Sequence, residues 1–192
     1  MHVLIIGGTG FLGYHAVLEF VRRGHHVTAT ARNRPAQGLL PEVVSFQLGN
    51  VNQMTEDELR HLLSGQDAVV YAAGADTATP HPKPAYDYFY RENVQPCIRL
   101  FAAARAVGVT RGVILGSYFN TLDRLWPELG MSTIHPYIRS RHAQAEESIR
   151  AAMPALQLMI LELPYIFGSM PGRPSQWAGL VNYVRSPYPL LF

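Results

Sequence analysis

The chain has 192 residues and a formal net charge of +2, and 48% of its residues are hydrophobic while 16% are charged. This length suits one sizeable domain, and this balance is typical of a globular protein. The small charge, without a basic cluster, argues against a nucleic-acid partner, and no apolar run approaches the roughly 20 residues that span a membrane. Cys97 is the one cysteine, which excludes an internal disulfide and suits a reducing compartment, so we expect a cytoplasmic protein.

The chain opens with an apolar strand over 2–6, a glycine-rich turn and a helical pattern over 11–23. Such an arrangement forms a site for a phosphate-bearing cofactor, because unpaired N–H groups and the positive dipole end of the helix meet there. The spacing is G-x-x-G-x-x-G rather than the more common G-x-G-x-x-G, and an ordinary strand–helix turn is the alternative. We expect Gly10 to leave room for the pyrophosphate and to hold a positive φ angle. The loop residues expected to contact the cofactor are Gly7, Thr9, Gly10, Phe11, Leu12 and Gly13.

Short apolar segments alternate with helical patterns along the rest of the chain. These segments are rich in Val, Ile and Leu, as is typical of strands buried on both faces. The alternation predicts an α/β fold with a parallel sheet, right-handed crossovers and helices on both faces. Six strands preceded by a glycine loop predict a doubly wound Rossmann sheet in the order 3-2-1-4-5-6. The predicted strands are 2–6, 26–31, 43–48, 68–73, 112–116 and 157–163.

Capping signals and prolines mark the predicted helices. The segment Thr55–Glu58 is a capping box that opens the second helix. A long helical pattern over 86–107 contains Pro96, which predicts a kink or a new first turn at that point. Pro136 suits the first turn of a further helix over 137–152.

The pattern of elements divides the chain unequally. Residues 1–168 are assigned to one dinucleotide-binding domain, and 169–192 to the start of a substrate-binding region. We expect that region to be truncated, since the apolar stretch 186–192 has no polar finish. The proline-rich loop 77–84 either covers the cofactor cleft or is a plain surface connection.

The end of the second strand favours NADP over NAD. A site for NAD generally has an acidic side chain there, which binds the 2′-hydroxyl of the ribose. Here Arg32 and Arg34 stand at that point and no carboxylate accompanies them. An arginine suits a 2′-phosphate through a charge-assisted contact. We expect both arginines to bind NADP, with NAD as the alternative cofactor; a solvated turn is the other interpretation of the two arginines.

Four short motifs follow the glycine loop in chain order. They are Gly49-Asn50-Val51, Ala72-Ala73-Gly74, Asn93-Val94 and Pro164–Gly168. Together with the loop, they resemble the extended short-chain dehydrogenase/reductases, the NAD-dependent epimerase/dehydratase family. The resemblance covers most of the chain and is specific for the family, though not for one reaction.

The resemblance implies a cofactor contact in each motif. The family usually has Gly-Asp-Val where Asn50 stands, and its acidic side chain meets the adenine amine; asparagine can also accept that hydrogen bond. Small residues at the end of strand four allow close approach to the cofactor, and the segment after strand six lies by the nicotinamide. The residues implied by the resemblance are Asn50, Val51, Ala72, Ala73, Gly74, Asn93 and Pro164.

The resemblance also implies a catalytic set, and here the chain departs from the family. The family uses a tyrosine and, four residues later on one helical face, a lysine, with a Ser or Thr just after strand five. Tyr137 matches the tyrosine, but Arg141 replaces the lysine. Its permanent charge still favours the ionised tyrosine and can hold the nicotinamide ribose, although a planar guanidinium need not match the position of an ammonium. Ser117 is the candidate hydroxyl, with a plain strand-end hydrogen bond as its alternative role.

We expect an NADP-dependent oxidoreductase or epimerase that moves a hydride to or from a sugar-like or small ketone substrate. The alternative, which Arg141 favours, is an NADP(H)-binding sensor or regulatory protein without turnover. Glu162 stands where many nucleotide-sugar enzymes have an arginine, which argues against a UDP-sugar. The sequence contains no metal-spaced cluster of His, Cys, Asp and Glu. We expect a small-molecule substrate as the binding partner, and a homodimer is the candidate protein assembly.

Overall fold

The computed structural model describes residues 1–77 and 80–186 and contains a six-stranded parallel sheet. The third strand begins two residues later than predicted, and the fourth ends two residues earlier, before Ala72 and Ala73. The strands are β1 (His2–Ile6), β2 (His26–Ala31), β3 (Ser45–Leu48), β4 (Ala68–Tyr71), β5 (Arg111–Ser117) and β6 (Gln157–Leu163). Their order is β3-β2-β1-β4-β5-β6, which confirms the predicted Rossmann topology.

Helices connect the strands and account for most of the remaining described residues. The helical pattern predicted over 86–107 is divided into three parts, and Pro96 lies in the first turn of the last one, as the new-first-turn prediction requires. The α-helices are α1 (Phe11–Arg22), α2 (Glu56–Leu63), α3 (Ala85–Phe89), α4 (Gln95–Ala106), α5 (Tyr118–Leu125), α6 (Met131–Ile134), α7 (Pro136–Ala152) and α8 (Ala178–Val184). A π-helix over Tyr90–Val94 joins α3 to α4, and a 3₁₀ turn over Pro127–Leu129 precedes α6.

The predicted helices on both faces of the sheet are confirmed. On one face, α2, α4 and α7 bury side chains such as Leu63 and Phe101 against β1, β4 and β5. On the other face, α1 buries Val17 against Ile5 and Val27 of β1 and β2. The thickest part of the core therefore lies over the middle of the sheet, where removal of apolar surface from water is most complete.

The prediction that every strand is buried on both faces is wrong at the sheet edges. In the central strand β1, Val3–Ile6 are all at most 2% exposed. In the edge strand β6, by contrast, Met159 is 58% exposed and Leu161 is 39% exposed. An edge strand has a neighbouring strand on one side only, and the exposure of Met159 and Leu161 shows that their side chains are only partly covered.

The parallel arrangement brings the carboxyl ends of all strands to one edge of the sheet. The strand order reverses between β1 and β4, and in open α/β sheets ligands bind at such a switch point. The glycine loop after β1 and the small residues after β4 thus face each other across the reversal. None of the helices in the described ranges is long and apolar enough to cross a bilayer.

Candidate active site

The glycine loop is held by backbone hydrogen bonds to the neighbouring strand. The N–H groups of Gly7 and Gly8 donate to the carbonyl of Thr30 at 2.8 and 3.1 Å, and that of Gly10 donates to the Gly7 carbonyl at 2.9 Å. The chain turns back tightly, and α1 begins at Phe11. The first N–H groups of a helix have no intrahelical partners, so this helix start can accept a pyrophosphate.

The glycines of the loop have different roles from those expected. The expectation of a positive φ at Gly10 is wrong, because this residue has a φ of −77° and an extended backbone that any residue adopts. Gly7 has the positive φ, at 81°, and a Cβ there would lie 2.9 Å from the carbonyl oxygen of Ala72. A Cβ at Gly13 would collide with the carbonyl oxygen of Gly7. Gly13 therefore lets α1 approach the loop.

A cleft of about 640 Å³, the central cleft, opens at the carboxyl edge of the sheet beside this loop. Residues from the ends of β4, β5 and β6 and from the start of α7 line it. The structure thus brings the three candidate catalytic residues to the same cavity as much of the expected cofactor site. The predicted residues that line the central cleft are Phe11, Leu12, Ala72, Ala73, Gly74, Ser117, Tyr137, Arg141 and Pro164.

Arg141 is a buried cation on the floor of the central cleft. Arg141 is 6% exposed, and its Nη2 donates a hydrogen bond to the carbonyl of Leu115 at 2.7 Å. Its guanidinium carbon lies 5.8 Å from the ring centre of Tyr137. Among described residues, Nε has no hydrogen-bond partner and the guanidinium is in no ion pair. Arg141 thus places one positive charge with several N–H donors in the lining of the cleft, which suits an oxygen-rich group such as the nicotinamide ribose.

Tyr137 and Ser117 occupy the ends of two neighbouring elements. Tyr137 lies in the first turn of α7, half-buried, with its ring edge-on to Phe89 at 5.4 Å. The hydroxyl of Ser117 accepts the N–H of Phe119 at 3.3 Å and caps α5. The strand-end hydrogen bond that was the alternative for Ser117 is therefore present. Since it uses Ser117 only as an acceptor, its O–H stays available to donate into the cleft.

Asn93 supports the cleft from behind rather than lining it. It is completely buried in the π-helix, where Oδ1 accepts the Ala75 N–H at 2.7 Å and Nδ2 donates to the Ala75 carbonyl at 3.1 Å. Gln144 donates to the Asn93 carbonyl at 2.7 Å. A Cβ at Gly74 would lie 3.0 Å from Asn93 Oδ1. Asn93 therefore positions the loop after β4, and its expected cofactor contact stays a prediction.

A second cavity of about 700 Å³ lies beyond the ends of β2 and β3, and we name it the adenine cleft after the contact expected of Asn50. Arg32 and Asn50 line it, in agreement with their expected positions. Arg34 is exposed and does not line this cavity. Val51 is 5% exposed and packs in the core cluster that includes residues of α2 and α4. The side chain of Asn50 accepts the N–H of Asn52 at 3.2 Å, so it also stabilises its own turn.

Several residues of the central cleft were missed by sequence reasoning. They come from the loop after β4, from α5, and from the segment after β6, where Pro171-Gly172 is a turn signal that could have marked a folded loop. Of the proline-rich loop, Thr77 lines the cleft, while Ala78 and Thr79 are outside the described residues, as are 187–192 of the expected substrate-binding region. The missed lining residues include Asp76, Phe119, Leu122, Arg173 and Gln176, whereas Tyr165 and Ile166 belong to the predicted segment Pro164–Gly168.

The other perturbed groups near the site do not form a second catalytic centre. Burial raises the pKa of the Cys97 thiol to about 12, so it is no thiolate nucleophile near neutral pH. Burial alone would raise the pKa of the Glu162 carboxyl, but hydrogen bonds from Arg124 and Thr121 outweigh it and hold that pKa below its ordinary value. Within residues 1–77 and 80–186, no three His, Cys, Asp or Glu side chains are grouped to hold a metal ion.

Comparison with known proteins shows the family of this chain. A family model described as NAD(P)H-binding matches residues 7–167. The chain belongs to the NAD(P)H-binding family. One relative is a 2-alkyl-3-oxoalkanoate reductase from Stenotrophomonas maltophilia (strain K279a), to which the chain is 31% identical over 113 residues. The matched region is 58% of this chain and 32% of the reductase. The chain is 27% identical over 128 residues, 61% of its length, to a UDP-glucose 4-epimerase from Klebsiella pneumoniae, and covers 89% of it.

A solved structure shows the same fold. The Bordetella bronchiseptica enzyme WbmG in complex with NAD has a TM-score of 0.66 and 20% identity, with 88% of this chain and 55% of that one covered. The resemblance to the extended short-chain dehydrogenase/reductases is confirmed. The NAD(P)H-binding chain spans about a third of the length of the reductase and about half of the length of the solved structure.

Proposed function

We propose that this protein is an NADP-dependent oxidoreductase or epimerase acting on an alcohol or carbonyl carbon of a sugar-like or small ketone substrate. The observation that carries the proposal is the meeting of Tyr137, Ser117 and Arg141 in one cleft at the switch point of the sheet. A tyrosine, a hydroxyl donor and a buried cation beside a phosphate-binding loop suit the transfer of a hydride coupled to a proton. The reductase and the epimerase among the relatives support an enzyme of this kind.

The side chains of the central cleft divide the chemistry between them. The nicotinamide ring, when bound, supplies or accepts the hydride. Tyr137 gives a proton to the substrate oxygen in reduction and takes it back in oxidation, while the Ser117 O–H donates a hydrogen bond to the same oxygen. Arg141 holds the ribose through its permanent charge. The start of α1 binds the pyrophosphate.

Arg32 carries the preference for NADP. It is exposed, lines the adenine cleft and is in no ion pair between described residues. A guanidinium in that position binds a 2′-phosphate through a charge-assisted contact that NAD lacks.

The test replaces the proton donor alone. Tyr137→Phe should lower turnover by about 10²-fold or more and leave NADPH affinity unchanged, because general acid–base catalysis contributes at least that much. Oxidation of NADPH at 340 nm is followed with a panel of ketones, aldehydes and sugars, and NADPH binding by fluorescence. The matched control is Tyr86→Phe, whose ring stacks under Arg139 outside the central cleft. A Tyr137→Phe protein that turns over like wild type contradicts the assignment.

A second candidate is an NADP(H)-binding sensor without turnover. Two observations favour it: the Arg141 guanidinium is already bonded to the Leu115 carbonyl, and the Ser117 hydroxyl already caps α5. In that case, the wild-type protein binds NADPH but gives turnover with no substrate of the panel.

A further inference from the structure

The segment over residues 164–177, the rim loop, is folded by its own contacts and fixes the backbone of one arginine. Met170 and Arg173 exchange backbone hydrogen bonds of 3.1 and 3.0 Å around Pro171-Gly172. Gly172 has a φ of 75°, as the third residue of a type II turn requires, and proline suits the position before it. A proline also follows Arg173 and restricts the arginine to an extended backbone.

The rim loop is also attached at two other points. The indole N–H of Trp177 donates to the carbonyl of Ile166 at 2.7 Å, and its ring stacks on Phe167 with centroids 5.0 Å apart. Nε2 of His15 on α1 donates to the carbonyl of Ser169 at 3.0 Å. The loop therefore presents its side chains to the central cleft from a defined position relative to the glycine loop.

Arg173 is the accessible cation of the central cleft. It lines the cavity, is exposed, and takes part in no ion pair between described residues. Arg141, the other cation along the described lining, is 6% exposed and donates to Leu115. Asp76 contributes the one carboxylate of that lining. An anion that enters the cleft thus meets the Arg173 guanidinium first, opposite a largely apolar wall.

We propose that the central cleft takes a carbonyl or alcohol substrate that carries a carboxylate, and that Arg173 is the residue that pairs with it. This rests on the proposed function, since the reacting oxygen is taken to lie at Tyr137. A guanidinium offers a planar fork that matches a carboxylate in a bidentate contact. A phosphate monoester carries more charge and generally needs several donors or a helix start. The start of α1 is assigned to the cofactor pyrophosphate, so the rim of this cleft offers a substrate one exposed cation.

The experiment compares an acid with its own neutral ester. The probes are 3-oxobutanoate, methyl 3-oxobutanoate and dihydroxyacetone phosphate, titrated into the protein by calorimetry with and without saturating NADP⁺. Neither condition allows reduction, so the measurement of affinity is independent of turnover. The variants are Arg173→Gln, Arg173→Lys and, as matched control, Arg185→Gln, an exposed arginine outside the cleft lining.

The wild-type protein and Arg185→Gln should bind the acid about 10- to 100-fold more tightly than the ester, as expected for a hydrogen-bonded charged pair. Arg173→Gln should abolish this preference, and Arg173→Lys should keep part of it. The proposal is overturned if wild type does not discriminate acid from ester or binds neither, if Arg173→Gln keeps the preference, or if the phosphate ester binds more tightly than the acid. The proposed function fails by a different result, namely wild-type turnover in Tyr137→Phe.

Discussion

Replacement of Arg141 by methionine separates a functional cation from a structural one. Methionine has a shorter, unbranched chain that replaces the aliphatic part of the arginine, but it removes the charge and all five N–H donors. Arg141 is buried, bonded to the Leu115 carbonyl, and close to the Tyr137 ring. We expect Arg141→Met to weaken NADPH binding strongly while changing the stability of the cofactor-free protein little.

The magnitude follows from two opposing contributions. The 2.7 Å hydrogen bond to Leu115 has a charged donor, which contributes about 1.5–3 kcal/mol to stability. Against it, the guanidinium is 6% exposed, its Nε is unsatisfied, and no ion pair between described residues compensates its charge. Burial of such a charge costs a comparable amount, so we expect the free energy of unfolding to change by less than about 2 kcal/mol in either direction. Loss of the charged contact to the ribose should weaken NADPH binding by about 10- to 100-fold.

Two measurements on the same preparations test this. Urea unfolding of the cofactor-free protein gives the change in the free energy of unfolding, and fluorescence titration gives the dissociation constant of NADPH. The matched control is Arg139→Met, which removes an exposed arginine of the same helix, 4.2 Å over the ring of Tyr86. The control should leave NADPH binding unchanged.

Either of two results refutes the reasoning. A loss of more than about 3 kcal/mol in the cofactor-free Arg141→Met protein means that the Leu115 hydrogen bond dominates and that the arginine is a structural element. Unchanged NADPH affinity means that the guanidinium does not contact the cofactor.

Three further substitutions probe the other parts of the site. In fluorescence titrations, Arg32→Ala should lower the affinity for NADPH by about 10-fold or more and leave the affinity for NADH unchanged. Arg34 lies outside the adenine cleft, so Arg34→Ala should change neither affinity. A preference for NADPH that survives Arg32→Ala contradicts this prediction. Gly13→Ala places a Cβ against the Gly7 carbonyl, so calorimetry should show no NADPH binding, and retained binding would exclude the loop as the phosphate site. Because the pKa of Glu162 is lowered in the folded protein, its contribution to stability is present at neutral pH and lost as pH falls below about 4. In urea unfolding, Glu162→Gln should therefore be less stable than wild type at pH 7, and this difference should shrink in acid. A difference that does not depend on pH argues against this role of Glu162.

Local signals were sufficient for much of the fold. The capping box predicted at Thr55–Glu58 is present, with both reciprocal hydrogen bonds formed. Pro96 lies in the first turn of α4, and the predicted strand, glycine loop and helix at the start of the chain are present as β1, the loop and α1. Each of these features depends on residues within a few positions of each other, so the sequence is enough to predict them.

The loops and short helices of the site were less accessible to sequence reasoning. The helices α6 and α8 carry too few residues for a clear apolar period, and the start of α5 is marked by its cap, Ser117. The positive φ in the glycine loop belongs to Gly7 rather than Gly10, and a Cβ at Gly7 would also lie too close to the carbonyl of Ala72, which is 65 residues away in the sequence.

By itself, the sequence determined the order of strands and helices, the glycine loop and the residue types at the carboxyl edge of the sheet, because these follow from periodicity and composition over short windows. Only the tertiary structure decided which residues face the cleft, since the deciding contacts join positions far apart. Asn93 is hydrogen-bonded to Ala75, 18 residues away, and Arg141 is hydrogen-bonded to Leu115, 26 residues away. His15 bonds to Ser169 across 154 residues, which holds Arg173 at the mouth of the cleft. No local pattern encodes such pairs, because each depends on how the whole sheet brings its strand ends together.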